Sequence, residues 1–137
     1  MKKALIFWAV LVLSSCTGEE SSSRTEENLF QTLPSGQWGI SYFEDGGSDR
    51  ASDFEGINFN FLSNGQVEAF RGTQLLDLGI WSTSIENRRA EIELSFPSNP
   101  LFENLNGNWY QILIGYERVT FRKDNEISED RLTFEKL

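Results

Sequence analysis

The sequence contains no histidine and only one cysteine, and each shortage excludes a class of chemistry. Histidine is the commonest general base and the commonest transition-metal ligand in proteins, so catalytic triads and zinc sites built on it are excluded. With Cys16 as the only thiol, no disulfide can form within the chain. Stability must therefore come from a packed core. Catalysis by a carboxylate pair and calcium binding by oxygen ligands remain open.

The sequence also lacks an apolar run long enough for a permanent membrane span. The longest such run, Ala4 to Leu13, has ten residues. As a helix it would rise about 15 Å, half the thickness of a bilayer core. Two lysines precede the run and two serines follow it, which is the layout of an exported signal. We predict that residues 1–15 are a signal peptide and leave them out of the fold reasoning.

The residues that end this run, Leu13-Ser14-Ser15-Cys16, resemble the lipobox of bacterial lipoproteins. The resemblance implies that Cys16 carries a diacylglycerol, that cleavage makes it the first mature residue, and that its amino group receives a fatty acyl chain such as palmitate. Two or more chains hold a protein firmly on a membrane. The resemblance implies a lipid-anchored envelope protein, at the outer membrane. The alternative is an ordinary cysteine behind an ordinary signal peptide.

Basic residues are scarce in the mature chain. Without residues 1–15, ten Lys and Arg face 21 Asp and Glu, a formal charge of −11. Such a chain repels nucleic-acid phosphates, so nucleic acid is excluded as a partner. Residues 16–32 are rich in Ser and Glu and are predicted to be a flexible tether. Glu19 and Glu20 resemble a surface-export signal of Bacteroidota lipoproteins, although a charged linker is the simpler interpretation.

Residues 33–137 are predicted to form one domain, an all-β, eight-stranded antiparallel up-and-down barrel. Short stretches of alternating polarity, bounded by Gly, Asn, Asp and Pro, are typical of such folds. The eight stretches are QWGISYF, INFNFL, QVEAFR, LLDLGIWSTSI, AEIELSF, WYQILIGYE, RVTFR and RLTFEKL. Asn64-Gly65 predicts a type I′ hairpin turn, and Gly115 to Glu117 a turn or a bulge. Asn99 to Asn106 predicts a short helical turn before the sixth strand, capped by Asn99.

Three tryptophans share one local pattern, a glycine two positions before the indole. The three sites are Gly36-Gln37-Trp38, Gly79-Ile80-Trp81 and Gly107-Asn108-Trp109. On a strand, residues two apart point to the same face, so a missing side chain leaves room beside the indole or lets the strand bend.

The first of these sites, with GQWGISYF, SDFEGINFNFLSNGQVEA, LGIWST, LFENLNGNW and LTFEK, resembles small lipocalin-like lipoproteins of Bacteroidota, which are mostly uncharacterised. The resemblance implies a lipocalin-like barrel that binds a small molecule. Two departures stand out: the Thr-Asp-Tyr motif of lipocalins is missing, and the late arginine that covers their first tryptophan has only Arg131 and Arg122 as candidates.

The aromatic side chains give the leading functional hypothesis. Those predicted to line a pocket for a small hydrophobic or amphipathic molecule are Trp38, Tyr42, Phe59, Phe61 and Tyr110. The alternative is a filled barrel, since eight strands enclose an interior that side chains can fill; the protein would then be an interaction module of an envelope complex, without a ligand.

No enzymatic activity, cofactor or metal is predicted, because no nucleophile stands beside a base and no phosphate cradle is present. The acidic loop with Glu44, Asp45, Asp49, Asp53 and Glu55 does not have the calcium-loop spacing and is predicted to be a solvated connection. Glu91 and Glu93 share a strand face and are predicted to be exposed.

Overall fold

The computed structural model describes residues 28–123 and 130–137, which form a closed antiparallel barrel. The strands are β1 (Trp38–Asp45), β2 (Ser48–Asp49), β3 (Ile57–Phe61), β4 (Gln66–Arg71), β5 (Gln74–Glu86), β6 (Arg89–Ser95), β7 (Gly107–Ile114), β8 (Arg118–Lys123) and β9 (Arg131–Lys136). The sheet order is β2-β1-β3-β4-β5-β6-β7-β8-β9, and β1 also pairs with β9. The predicted eight-stranded up-and-down barrel is confirmed.

Strand β2 is an addition to the predicted eight. It pairs only with the end of β1, where Glu44 lies opposite Asp49. The reversal uses Gly46 and Gly47, whose φ angles of 61° and 86° are accessible to glycine at little cost. The first seam of the barrel is short, because β1 and β3 share a single register pair, Trp38 with Phe59.

Alternation along the strands places the core as predicted. In β3 the three apolar residues are buried and the two asparagines between them are half-buried. In β8 and β9 the outward-facing Thr133 is buried as well, and the buried apolar residues are Val119, Phe121, Leu132 and Phe134. These side chains belong to one apolar cluster inside the barrel.

The hairpin predicted at Asn64-Gly65 is present, since β3 and β4 are antiparallel neighbours on either side of it, but the predicted type I′ geometry is wrong. Only Gly65 has positive φ, in a four-residue turn where the Asn64 side chain accepts a hydrogen bond from the Gln66 amide at 3.0 Å. Positive φ at both positions occurs instead in the two-residue turns Gly46-Gly47, described above, and Asn87-Arg88, with φ angles of 51° and 64°. A side chain that satisfies a local amide thus outweighs the dipeptide preference.

The predicted helical turn is present as a 3₁₀ helix, η3 (Pro100–Leu105), before β7. The Asn99 side chain caps it by accepting from the Leu101 amide at 3.0 Å. Two other 3₁₀ helices are η1 (Leu33–Ser35) and η2 (Ala51–Phe54). The link from β7 to β8 is a turn, closed by the Gly115 amide donating to the Arg118 carbonyl at 2.9 Å. In the described residues no helix has the length and apolarity needed to cross a bilayer.

Packing on the barrel begins before residue 33. Residues 28–32, assigned to the tether from composition, are helical, and Leu29 is fully buried. The Phe30 ring stacks on Trp81 with 5.3 Å between centroids. The predicted signal peptide, Cys16, Glu19 and Glu20 lie outside the described residues.

Candidate functional site

The three Gly-x-Trp sites hold the segments that close the barrel. Each indole N–H donates to a leucine carbonyl in a closing segment: Trp38 to Leu33 of η1 at 2.8 Å, Trp81 to Leu62 of the β3–β4 turn at 2.9 Å, and Trp109 to Leu105 of η3 at 2.8 Å. A buried indole N–H needs such an acceptor. The recurring motif is therefore explained by closure of the barrel ends.

The space at each glycine is taken by a neighbouring segment rather than by the indole. A Cβ at Gly79 would lie 2.7 Å from the Ser95 carbonyl oxygen and 2.8 Å from the Phe96 ring. A Cβ at Gly36 would lie 2.6 Å from Lys136 Cε, and one at Gly107 would lie 3.0 Å from Lys123 Nζ. At each site the absence of a side chain leaves room for atoms of a neighbouring strand or loop. The prediction that the room is left for the indole is therefore wrong.

Two of those neighbours, Lys136 and Lys123, are lysines that lie over the rings of Trp38 and Trp109. Lys136 Nζ lies 5.7 Å from the centre of the Trp38 ring, and Lys123 Nζ lies 4.5 Å from that of Trp109. Cations over indole faces are attracted by the ring quadrupole. The cation over Trp38 is thus Lys136, whereas Arg131 and Arg122 lie opposite each other on β9 and β8. Burial lowers the pKa of Lys123, partly countered by Asp130 and Asp45.

The barrel interior is occupied by aromatic rings. Phe59 meets Phe96, Phe102 and Phe134 edge-on, with centroid distances of 6.2, 5.8 and 5.4 Å. Phe61 meets Trp81 and Phe134 in the same way, each at 5.4 Å. Offset and edge-on contacts at these distances are favourable. Of the five residues predicted to bind a ligand, Trp38, Phe59 and Phe61 therefore lie in the packed core.

The other two predicted residues lie on the outer face of the barrel wall. Tyr110 is half-buried beneath the Arg89 guanidinium, whose Cζ is 4.0 Å from the ring centre. Glu91 lies opposite Tyr110 in register and is buried, so its predicted exposure is wrong; Glu93 is exposed. Alternation along β6 alone does not reveal that Glu91 is buried while Glu93 is exposed.

A groove runs along the outer face of β9 and includes Tyr42. It encloses about 750 Å³ and is lined by Ser41, Tyr42, Glu44, Leu113, Arg118, Thr120, Arg131, Thr133 and Glu135. Pockets that hold small ligands range from about 300 to 1,000 Å³, so the groove is of useful size. Four further concavities of the described residues are smaller, and none of the five includes Trp38, Phe59, Phe61 or Tyr110.

Most polar side chains of the groove form hydrogen bonds or ion pairs with one another. The Tyr42 hydroxyl donates to Glu44 Oε2 at 3.0 Å, and Arg118 pairs with Glu135 at 3.2 Å. The hydroxyls of Thr120 and Thr133 are 3.0 Å apart. The hydrogen bond to Glu44 is the main cause that raises the pKa of Tyr42.

Arg131 is the remaining charge of the groove. Its side chain makes no hydrogen bond or ion pair with residues 28–123 and 130–137, and its charge lowers the pKa of Tyr42. Its guanidinium offers five donors in a planar fork that matches a carboxylate. The groove therefore combines an aromatic ring with an arginine side chain that has no side-chain partner among the described residues. Within the described ranges, no group of three or more His, Cys, Asp or Glu could hold a metal ion.

Apart from Tyr42, the residues that line this groove were not predicted from the sequence as site residues. The missed set on β8 and β9 comprises Arg118, Thr120, Arg131, Thr133 and Glu135. A signal was present, because the alternation of RVTFR and RLTFEK places these polar residues on one outer face. What the sequence could not indicate is that this part of the outer wall is concave.

Neither a family model nor a curated protein matches the chain. Among solved structures, the chain is similar to the crystal structure of a DUF4847 family protein from Bacteroides vulgatus ATCC 8482, with a TM-score of 0.54 and 13% sequence identity. The similarity covers 78% of this chain and 96% of that chain. At this identity the similarity shows a shared fold and carries no information on what the outer groove binds.

Proposed function

We propose that this protein is a lipoprotein of the cell envelope, anchored to the outer membrane through Cys16, whose filled barrel serves as an interaction module. The observation that carries the proposal is the contrast between the two faces of the wall. Interlocked aromatic rings occupy the inside, and the main concavity, with Arg131 and Tyr42, lies outside. A partner protein that presents a carboxylate beside an apolar side chain fits that groove best.

The hypothesis of a hydrophobic ligand inside the barrel gains no support from these contacts. A molecule among Trp38, Phe59 and Phe61 would have to displace rings that already touch one another. Interiors packed to crystal-like density rarely yield such space. An amphipathic molecule in the outer groove is the form of ligand binding that stays compatible with the structure, because the groove volume and Tyr42 permit it.

Photo-crosslinking tests the interaction module directly. A photoreactive phenylalanine analogue replaces Tyr42 in the groove or, as a matched control, Leu78, an exposed residue on the wall of β5. We expect the Tyr42 position to give a discrete protein adduct in intact cells that Arg131→Glu abolishes. The same adduct from both positions, or an adduct insensitive to Arg131→Glu, would contradict the proposal.

Native mass spectrometry of the purified domain separates the two candidates. An interaction module is expected at the mass of the bare chain. A discrete added mass that Tyr42→Ala removes would instead assign the groove to a small molecule. For the anchor, Cys16→Ser should abolish lipid labelling and leave the protein uncleaved or outside the membrane fraction. Unchanged lipid labelling of that variant would overturn the anchor.

A further inference from the structure

The up-and-down order brings both termini of the described domain to one end of the barrel. We define the anchor-side end as residues 28–37, 62–65, 86–89, 115–118 and 135–137, and the far end as residues 44–56, 71–77, 96–107, 123 and 130–131. Contacts hold the first set together: the Leu137 amide donates to the Gln37 carbonyl at 2.9 Å, and the Lys136 amide to the Glu117 carbonyl at 2.7 Å. The chain from Cys16 therefore enters the domain at the anchor-side end.

The two ends differ in charge. The anchor-side end holds four Lys or Arg and three Asp or Glu side chains, whereas the far end holds four Lys or Arg and eight Asp or Glu side chains. A bilayer surface that contains anionic lipid attracts basic segments and repels acidic ones. In a chain with a large excess of negative charge, the anchor-side end is the one that can approach such a surface at the lowest electrostatic cost.

The two ends also differ in exposed apolar side chains. Tyr116 and Leu137, exposed by 78% and 69%, are the most exposed large apolar residues of the described chain, and both belong to the anchor-side end. Phe30 is exposed there too, and Ile85 and Leu113 border it. Among the described residues, Leu75 is the only exposed large apolar side chain at the far end.

Lys136 links the exposed tyrosine to the barrel. Its Nζ lies 4.1 Å from the Tyr116 ring centre and donates to Ser35 Oγ at 3.1 Å. Tyrosine and lysine are suited to the membrane interface, where the apolar part is buried and the polar tip stays in water.

The tether limits the distance between this end and the membrane. Twelve residue steps separate Cys16 from Asn28. Fully extended, they reach about 40 Å, which is on the order of the size of the domain itself. We propose that the anchor-side end is a membrane-docking surface that rests on the lipid headgroups, with Tyr116 and Leu137 at the interface and the acidic far end pointing away. This inference rests on the proposed anchor at Cys16.

Two cysteine variants test the orientation, because acylation turns the only native thiol into a thioether. Ser63→Cys in the β3–β4 turn labels the anchor-side end, and Ser52→Cys in η2 labels the far end; both serines are exposed. The full acylated chain, carrying a fluorophore at either site, is reconstituted in phosphatidylethanolamine vesicles with a minor fraction of phosphatidylglycerol and nitroxide-labelled headgroups. We expect quenching at residue 63 to exceed that at residue 52 by about threefold, as for a domain lying on the interface.

A matched pair of serine variants tests the apolar contacts with the membrane. Tyr116→Ser should reduce the difference in quenching between residues 63 and 52, whereas Leu75→Ser at the far end should leave that difference unchanged. Equal quenching in the unmodified background, stronger quenching at residue 52, or a difference that depends on contacts between copies at high protein density would overturn the docking surface. The mass of the mature chain separates the two failures: an unacylated Cys16 removes the anchor and the docking surface together, and an acylated chain with equal quenching removes the docking surface alone.

Discussion

Phe59 and Tyr42 lie on opposite faces of the same barrel wall, although their sequence patterns look alike. Both are aromatic residues in short alternating strands. Phe59 is fully buried and touched by three other rings, whereas Tyr42 is 36% exposed in a groove with four charged side chains. The inner face therefore determines stability, and the outer face is available for recognition.

The largest expected effect comes from emptying the inner face. Phe59→Ala should lower the free energy of unfolding by about 3–5 kcal/mol, because it removes buried ring contacts and leaves a cavity. Tyr42→Ala should cost less than about 1 kcal/mol, as for an exposed residue. Chemical denaturation of both variants measures the difference. Similar costs for the two would mean that the interior is loosely packed, which would restore the ligand-binding hypothesis.

The Gly-x-Trp sites allow a finer comparison within the inner face. Gly79→Ala should lower the free energy of unfolding by about 3 kcal/mol, because its Cβ would meet the backbone oxygen of Ser95 and the Phe96 ring. Gly36→Ala should cost under about 1 kcal/mol, because the obstacle is the movable end of Lys136. The midpoints of thermal unfolding rank the two. A reversed order would show that the close approach at Gly79 is not what fixes β5 against the end of β6.

Much of the fold could be predicted from local signals. The alternation in β3 and the Asn99-Pro100 start of η3 are both confirmed, since each depends on residues only a few positions apart. The turn at Asn64 could not be predicted from the dipeptide, because the Asn64 side chain binds a backbone amide instead.

The position of the site was less accessible to sequence reasoning. Period-two alternation separates the two faces of a strand but does not say which face is inner, and aromatic residues suit either. The sequence predicts Trp38 and Tyr42 in one pocket, yet a register shift between Ile40 and Tyr42 directs Tyr42 outward. A register shift of this kind changes the face to which the following side chains point, and no distinctive sequence pattern marks its position.

A smaller expected effect is the pH dependence that Lys123 gives to the free energy of unfolding. Burial lowers its pKa, so the charged form is disfavoured in the fold. The resulting destabilisation is fully present below the pKa of Lys123 in the folded protein and disappears as the pH rises to the ordinary lysine value. We expect the stability of the wild type relative to Lys123→Met to increase over that interval.

Denaturant unfolding at a series of alkaline pH values measures this difference, and Lys136→Met is the control, since Lys136 shares the position over an indole but lies at the other end. A difference between wild type and Lys123→Met that falls with rising pH would contradict the burial of the ammonium group. It would indicate that the hydrogen bond from Lys123 to the Asn106 carbonyl at 2.6 Å dominates.

The smallest expected effect is a change in the pKa of Tyr42, which lies in the groove on the outer face. The hydrogen bond to Glu44 is the main cause that raises the pKa of Tyr42, Asp49 adds to it, and Arg131 opposes it. Glu44→Gln should therefore lower the pKa of Tyr42, and Arg131→Gln should raise it further. Absorbance at alkaline pH, with the titration of Tyr42→Phe subtracted, isolates this phenol. Because the neutral phenol is favoured, its contribution to stability is present below about pH 10 and is lost as the pH rises through the raised pKa. Shifts of the same sign in both variants would mean that Arg131 does not face Tyr42 across the groove.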